Sequence, residues 1–300
     1  VGNPEAGVVT YRITVLPGDG IGPEVISAAL EKFEQSFEVT QIDAGAERYL
    51  ASGELLSVGD LATIAASDAL LFGAIGDPRV PDGVLERGIL LRLRQELDLY
   101  VNLRPFPELD LVFVRENTEG LYAGFGWRSG DSAAEVNVNT AHAIERCVRY
   151  AFDLAKSRAG RLTWVHKTNV LNHSGDLWRE VVTRVSTEYP DIDVSYEHAD
   201  AAAYHLVTDH KRFDVVVTDN LFGDILSDLA AGLAGGLGTA ASANLHPDVS
   251  TRPTRCVGLF EPVHGSAPDI AGTGTADATG AIRATEMMLE ALAVKESVAL

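Results

Sequence analysis

Asp224 and Asp228 stand four residues apart in Asn220-Leu221-Phe222-Gly223-Asp224-Ile225-Leu226-Ser227-Asp228. On a helix that spacing puts both carboxylates on one face. Adjacent anions repel, so such a face either stays solvated or takes a cation between them. A hard divalent ion with oxygen ligands suits the second case. Leu221, Phe222, Ile225, Leu226 and Leu229 leave little of this helix for water, and Asp200, after another strand, is a candidate third ligand. Arg94 lies near a helix end, Arg104 after an extended stretch and Arg115 at the close of an apolar strand. Planar guanidinium forks suit bidentate carboxylate binding, although any one of them alone reads more readily as a surface or structural arginine. Two of them sit at strand ends, where open α/β sheets hold their ligands. Lys167 closes another strand and Tyr122 follows the Arg115 segment. They are candidate general base and acid, and a nearby cation and the arginines are expected to depress both pKa values.

The elements that must position these groups alternate along the chain. Residues 11–16, 37–43, 69–72, 99–103, 111–114, 162–166, 192–196 and 213–217 read as strands; 23–35, 84–97 and 141–156 read as helices, the first with Pro23 in its opening turn. This predicts an α/β fold with a largely parallel sheet. The 300-residue length predicts two lobes. The Gly/Ala/Ser-rich stretch 230–243 and the break at Arg104-Pro105 are candidate crossovers, which makes one lobe from both ends of the chain and inserts the other.

After the first strand comes Gly18-Asp19-Gly20-Ile21-Gly22-Pro23-Glu24. It fails the G-x-G-x-x-G fingerprint, because Pro23 stands where the third glycine belongs. A tight strand-to-helix turn is the favoured reading, and a dinucleotide would have to bind elsewhere. The run from Glu261 to Gly272 reads as an irregular loop carrying His264 and Asp269 among small residues, able to approach a ligand through its backbone. Its ligand does not follow from the residues alone.

The formal net charge is −19, which argues against nucleic acid and anionic membranes as partners. There is no apolar run of roughly 18 residues, and residues 1–9 lack the pattern of a signal peptide. Only two cysteines are present, Cys147 and Cys256, in no metal-like spacing, which suits a reducing cytoplasm.

Together these segments resemble the isopropylmalate/isocitrate dehydrogenase family. The resemblance runs from Gly18 to about Leu289. It rests on the Gly-Asp-Gly-Ile-Gly-Pro-Glu opening, Asn102-Leu103-Arg104-Pro105, Val114-Arg115-Glu116-Asn117-Thr118-Glu119-Gly120, His166-Lys167-Thr168-Asn169-Val170-Leu171, the Asp224/Asp228 helix and the Glu261–Gly272 loop. It implies a two-lobed fold with a large mixed, mostly parallel sheet, not a standard Rossmann fold. An NAD-binding lobe would comprise residues 1–103 and 235–300, and residues 104–234 would form the inserted lobe for substrate, metal and dimerisation.

The resemblance also implies site roles. Arg94, Arg104 and Arg115 would hold substrate carboxylates; Asp200, Asp224 and Asp228 would bind Mg²⁺ or Mn²⁺; Tyr122, Lys167 and Asp200 would be catalytic. Lys167 and Asp200 would reach in from the partner of a homodimer with shared active sites. NAD would lie against Ala74, Ile75 and Gly76 and against His264, Gly265, Ser266, Ala267, Asp269 and Asp277, with Asp269 favouring NAD over NADP. Leu90, Leu91 and Glu86 look most like the branch that oxidises and decarboxylates 3-isopropylmalate, a dicarboxylate of leucine biosynthesis. Relatives acting on homoisocitrate, D-malate or tartrate share the 117–122 motif, and a non-catalytic relative is the alternative of another class. Two features depart from the family pattern: residues 105–111 make a much shorter connection, and Asp277-Ala278 stands where many members carry Asn-Pro. The chain also stops early.

Overall fold

The computed structural model describes residues 10–33, 37–248 and 250–299. The expected absence of a leader in residues 1–9, and the last residues of the helix predicted over 23–35, lie outside them. In chain order the first half comprises β1 (Tyr11–Gly18), α1 (Gly22–Lys32), β2 (Phe37–Gln41), α2 (Ala46–Ser52), α3 (Val58–Ala66), β3 (Ala69–Ala74), α4 (Arg92–Glu96), β4 (Val101–Phe106) and β5 (Leu111–Glu116). A hairpin of β6 (Gly126–Ser129) and β7 (Ser132–Glu135) follows, then α5 (Ala141–Lys156), β8 (Arg161–His166), α6 (Asn172–Ser186), β9 (Asp193–His198) and α7 (Ala199–Asp209). The chain continues through β10 (Val215–Thr218), α8 (Asn220–Leu233), β11 (Ala241–Leu245), β12 (Gly258–Pro262) and α9 (Thr279–Ala299).

Among the described residues, ten strands form one sheet in the order β2-β1-β3-β12-β11-β4-β5-β10-β8-β9. Both wings are parallel. The centre is antiparallel, at β12/β11, β11/β4 and β4/β5. The sheet is therefore mixed and mostly parallel, as expected. Two details differ from the sequence reading. The strand through Arg104 does not stop at Pro105 but runs on to Phe106, where a single tight turn with Asp110 at φ 50° returns it as β5. The short 105–111 connection is thus a closed hairpin. The Gly/Ala/Ser-rich stretch hides β11, whose small side chains fit a strand buried on both faces.

The two faces of the sheet differ. On one, a continuous core joins α1, α9, α5 and α6 across the strands, from Ile13 and Leu71 through Val101, Val114 and Phe260 to Trp178 and Val217. On the other, the apolar residues form two separate cores: Leu16, Phe72, Ile89, Leu93 and Leu259 on one side, and Phe113, Val165, Phe213, Val216 and Leu226 on the other. The reason lies in the period-2 alternation of the central strands. Leu103, Val114, Ala243 and Phe260 face the continuous core. Their neighbours Asn102, Arg104, Arg115, Ser242, Asn244 and Glu261 are polar or charged, all buried, and they keep the two other cores apart. No helix among the described residues is long and apolar enough to cross a membrane.

Candidate active site

Between the two separated cores lies a cavity of about 230 Å³. Arg94, Arg104, Arg115 and Glu261 line it, as do Tyr122 and Asp224, and Ala74, Ile75, Glu86, Leu90, Leu91, His264 and Gly265 complete much of the wall. The helix predicted over 84–97 supplies its share in an unusual way. Glu86–Leu91 is a turn of π-helix that passes into α4. The widened turn is a recurrent device at functional sites. Here Glu86, Leu90, Leu91 and Arg94 reach the same cavity while Ile89 and Leu93 stay in the core.

Arg104 and Arg115 converge on α8. Arg104 donates to Asp228 at 2.9 Å, to Ser227 at 2.9 Å and to Asp224 at 3.2 Å. Arg115 donates to Asp224 and, through Nε and Nη2, to Asn220 Oδ1 at 2.9 and 2.6 Å. A Cβ at Gly223 would come within 2.8 Å of Arg115 Cβ, so the glycine lets this fully buried arginine lie along the helix. The Tyr122 hydroxyl donates to Asp224 Oδ2 at 2.5 Å. Arg94 lies 3.3 Å from Glu261, which also accepts from Asn244 at 2.8 Å; Asn244 accepts from Asn102 and Asn117 at 2.9 Å, and Asn102 accepts from Arg104 at 2.9 Å. The three arginines therefore belong to one hydrogen-bonded network across β12, β11, β4 and β5.

The sequence reading missed Asn102, Asn220, Ser242, Asn244 and Glu261 as site residues. For Ser242, Asn244 and Glu261 the signal was a polar residue among the apolar ones of β11 and β12, which were not read as strands; Asn102 lay in a stretch already read as extended, and Asn220 heads α8.

The electrostatics are dominated by burial. Burial lowers the Arg94 pKa to about 10, and it lowers that of Arg104 too, with Arg115 adding repulsion. Burial also works to raise Asp224, yet Arg115, Arg104 and the Tyr122 hydroxyl outweigh it and hold this carboxyl below its ordinary value. For Asp228 burial wins over Arg104, and the pKa rises. In the chain alone the Tyr122 pKa is raised, because burial and then the Asp224 charge outweigh Arg115; the depression expected from a bound cation is separate from this balance. The phenol stays protonated at neutral pH.

A divalent cation fits the α8 pair in donor chemistry, two hard carboxylates one turn apart. In this chain their positive partners are guanidinium groups. Asp200 does not join them: it is exposed and pairs with Lys167 at 2.7 Å, and neither residue lines the cavity. Among the described residues of one chain no group of three acidic, histidine or cysteine side chains is arranged to hold a metal.

The glycine opening is a backbone packing device. A Cβ at Gly18 would lie 1.8 Å from Ala74 O and one at Gly20 1.9 Å from Ser266 O, both at positive φ. Asp19 holds the turn, accepting from Ala46 N at 2.8 Å and from Gly76 N at 3.0 Å. The loop thereby fixes two chain segments, Ala74-Ile75-Gly76 and His264 to Ala267, at the mouth of the cavity. Ile21 N donates to Ser266 O at 2.8 Å, and Ala267 adopts φ 37°. His264 Nε2 is buried without a partner there. Backbone so close-packed, with an unpartnered imidazole nitrogen, fits a polar ligand such as a dinucleotide. Asp269 and Asp277 are exposed further along; Asp277 accepts from Thr279 N at 2.9 Å at the head of α9.

Comparison with known proteins agrees with this geometry. The family model described as isocitrate/isopropylmalate dehydrogenase matches residues 12–299. The chain belongs to the isocitrate/isopropylmalate dehydrogenase family. It is 50% identical over 309 aligned residues to a 3-isopropylmalate dehydrogenase of Nocardia farcinica, covering 96% of this chain and 91% of that one. Among solved structures, an isocitrate dehydrogenase from Methylococcus capsulatus superposes with a TM-score of 0.85 at 41% identity, covering 94% of this chain and 85% of that one. A beta-decarboxylating dehydrogenase from Thermococcus kodakarensis in its apo form gives a TM-score of 0.79 at 40% identity, covering 95% and 84%. The fold is that of the isocitrate/isopropylmalate dehydrogenase family, and the family's reaction is the oxidative decarboxylation of a 3-substituted malate.

Proposed function

We propose that the protein oxidises and decarboxylates 3-isopropylmalate to 2-oxoisocaproate with NAD, in the cytoplasm and as a step of leucine biosynthesis. The observation that carries this reading is the pairing of Leu90 and Leu91 with three buried arginines in one cavity. The arginines match the two carboxylates of a malate, and the leucines offer an apolar wall to a branched C3 substituent. Glu86 lies beside them and disfavours a third carboxylate there.

Arg94, Arg104 and Arg115 orient the carboxylates, and their burial keeps water from competing. Asp224 and Asp228, with Asp200 of the partner subunit, would hold Mg²⁺ or Mn²⁺, which would supply a Lewis acid that lowers the pKa of the C2 hydroxyl and stabilises negative charge on its oxygen. Ala74, Ile75 and Gly76, with His264, Gly265, Ser266, Ala267, Asp269 and Asp277, would hold NAD, which would supply the hydride acceptor. An exposed carboxylate at Asp269 accepts from a ribose diol and repels an added phosphate, which favours NAD. Lys167 of the partner subunit, paired with Asp200, takes the hydroxyl proton. Tyr122, kept protonated by burial, delivers a proton to the carbon left after CO₂ departs.

The shared site is supported by two observations. Lys167 and Asp200 lie off the cavity of their own chain. Large apolar side chains are exposed on the β6–β7 hairpin and near these residues: Trp127, Val170, Tyr204, Val207 and Ile225 are each more than half exposed, as expected of a surface covered by a second copy. We assign residues 1–103 and 235–300 to a cofactor lobe and 104–234 to an inserted lobe; the first boundary falls within β4, whose Val101 joins the continuous core and Phe106 the second separate core.

The test is NADH formation by the purified protein with Mn²⁺ across 3-isopropylmalate, homoisocitrate, isocitrate, D-malate and tartrate. Preference for 3-isopropylmalate is expected. Preference for another of these would retain the reaction and overturn the substrate.

A further inference from the structure

On the opposite face of the central strands lies a second cavity, of about 270 Å³. Leu103, Ala243 and Phe260 form its floor, the same strands whose other face carries Asn102, Arg104, Ser242 and Asn244. Tyr150 of α5 stands on one wall and Met287 and Ala291 of α9 on the other. At one end is Arg252. It donates Nε and Nη2 to His246 O at 3.0 and 2.9 Å, and among the described residues it forms no ion pair. Burial lowers its pKa. Among the described residues no carboxylate is paired with it, although the chain carries a net charge of −19. A half-desolvated guanidinium facing apolar walls is matched by an anion with a hydrocarbon body. Tyr150, its pKa pushed up to about 12 by burial, remains a neutral phenol on the wall. Glu290 at the rim has no ion-pair partner among the described residues and disfavours a second carboxylate.

We propose that this cavity binds a small apolar monocarboxylate, with the carboxylate on Arg252 and the hydrocarbon over Leu103, Ala243 and Phe260. The site is separate from the cleft and does not depend on the reaction assigned to it.

Isothermal titration with hexanoate as the probe tests it, alongside hexan-1-ol and the dicarboxylate adipate. One site with a dissociation constant on the order of 1 mM is expected. Hexanol and adipate should bind at least about tenfold more weakly, by loss of the charge and by repulsion from Glu290. Arg252→Gln should abolish hexanoate binding, and Ala291→Phe, which fills the cavity from α9, should do the same. Arg94→Gln, which alters only the cleft, should leave it intact. Circular dichroism checks the fold of each variant, and if Arg252→Gln is unfolded, Ala291→Phe decides. Absence of hexanoate binding to the unaltered protein would overturn the proposal. So would binding that survives Ala291→Phe, or binding lost in Arg94→Gln, which would put the ligand in the cleft.

Discussion

Arg115 shows how much one side chain is asked to do. It is 1% exposed, stacks its guanidinium 5.0 Å from the centre of the Tyr122 ring, and holds both Asn220 and Asp224. Tyr122 is thus fixed from two sides, by Asp224 at its hydroxyl and by Arg115 at its ring. Tyr122→Phe removes the proposed proton donor and little of the binding surface. A fall in kcat of about 100-fold or more with a nearly unchanged KM is expected in steady-state assays with 3-isopropylmalate. Leu90 and Leu91 entered only through the family resemblance, whereas Arg94, Arg104, Arg115, Asp224 and Tyr122 were legible in the sequence because charged and phenolic residues near helix and strand ends are a local pattern. Their mutual contacts were not. Nothing in the chain says that Asp224 faces Arg115, 109 residues away, rather than solvent.

At the scale of elements, the antiparallel centre of the sheet creates the cleft. Asn244 on β11 links Asn102, Asn117 and Glu261. Asn244→Ala leaves these groups unpaired in a buried layer and should destabilise the protein by about 2–4 kcal/mol in urea denaturation. The head of α8 carries a second dependency. Asp219 caps the helix by accepting from Phe222 N at 2.8 Å, and burial pushes its pKa up to about 7. The folded state therefore keeps a proton that the unfolded chain releases near its ordinary value, so the associated stability is complete at low pH and is lost as the pH rises towards 7. His166, 3.6 Å away, behaves oppositely: burial lowers its pKa to about 4, so its contribution is lost as the pH falls from the ordinary histidine value towards 4. Asp219→Asn keeps the cap and removes only the first effect. Its gain in unfolding free energy should be larger at about pH 8 than at about pH 4; an equal gain at both would contradict the assignment. The parallel wings were readable from strand–helix alternation. The centre was not, because the Ala/Ser-rich β11 lacks the β-branched residues that mark a strand, and Pro105 disguises the continuation of β4.

At the scale of the molecule, the proposed mechanism needs a second copy to complete the site. Lys167 and Asp200 bind each other on the surface of their own chain, among exposed apolar residues. If each cleft borrows them, mixing two inactive variants, Lys167→Ala and Asp224→Asn, after subunit exchange should restore activity, because one of the two clefts in the mixed dimer has every group. Trp127→Asp on the hairpin should weaken the dimer in sedimentation velocity and reduce activity with it. This assembly could not be derived from residue spacing; it followed only from resemblance. The most direct test of the whole account is NADH formation from 3-isopropylmalate by the purified protein, with Mn²⁺ and after chelation. The account predicts turnover that requires the metal and exceeds that with homoisocitrate, isocitrate, D-malate and tartrate. Failure to reduce NAD with any of these substrates, in the presence of metal and a folded dimer, would contradict it.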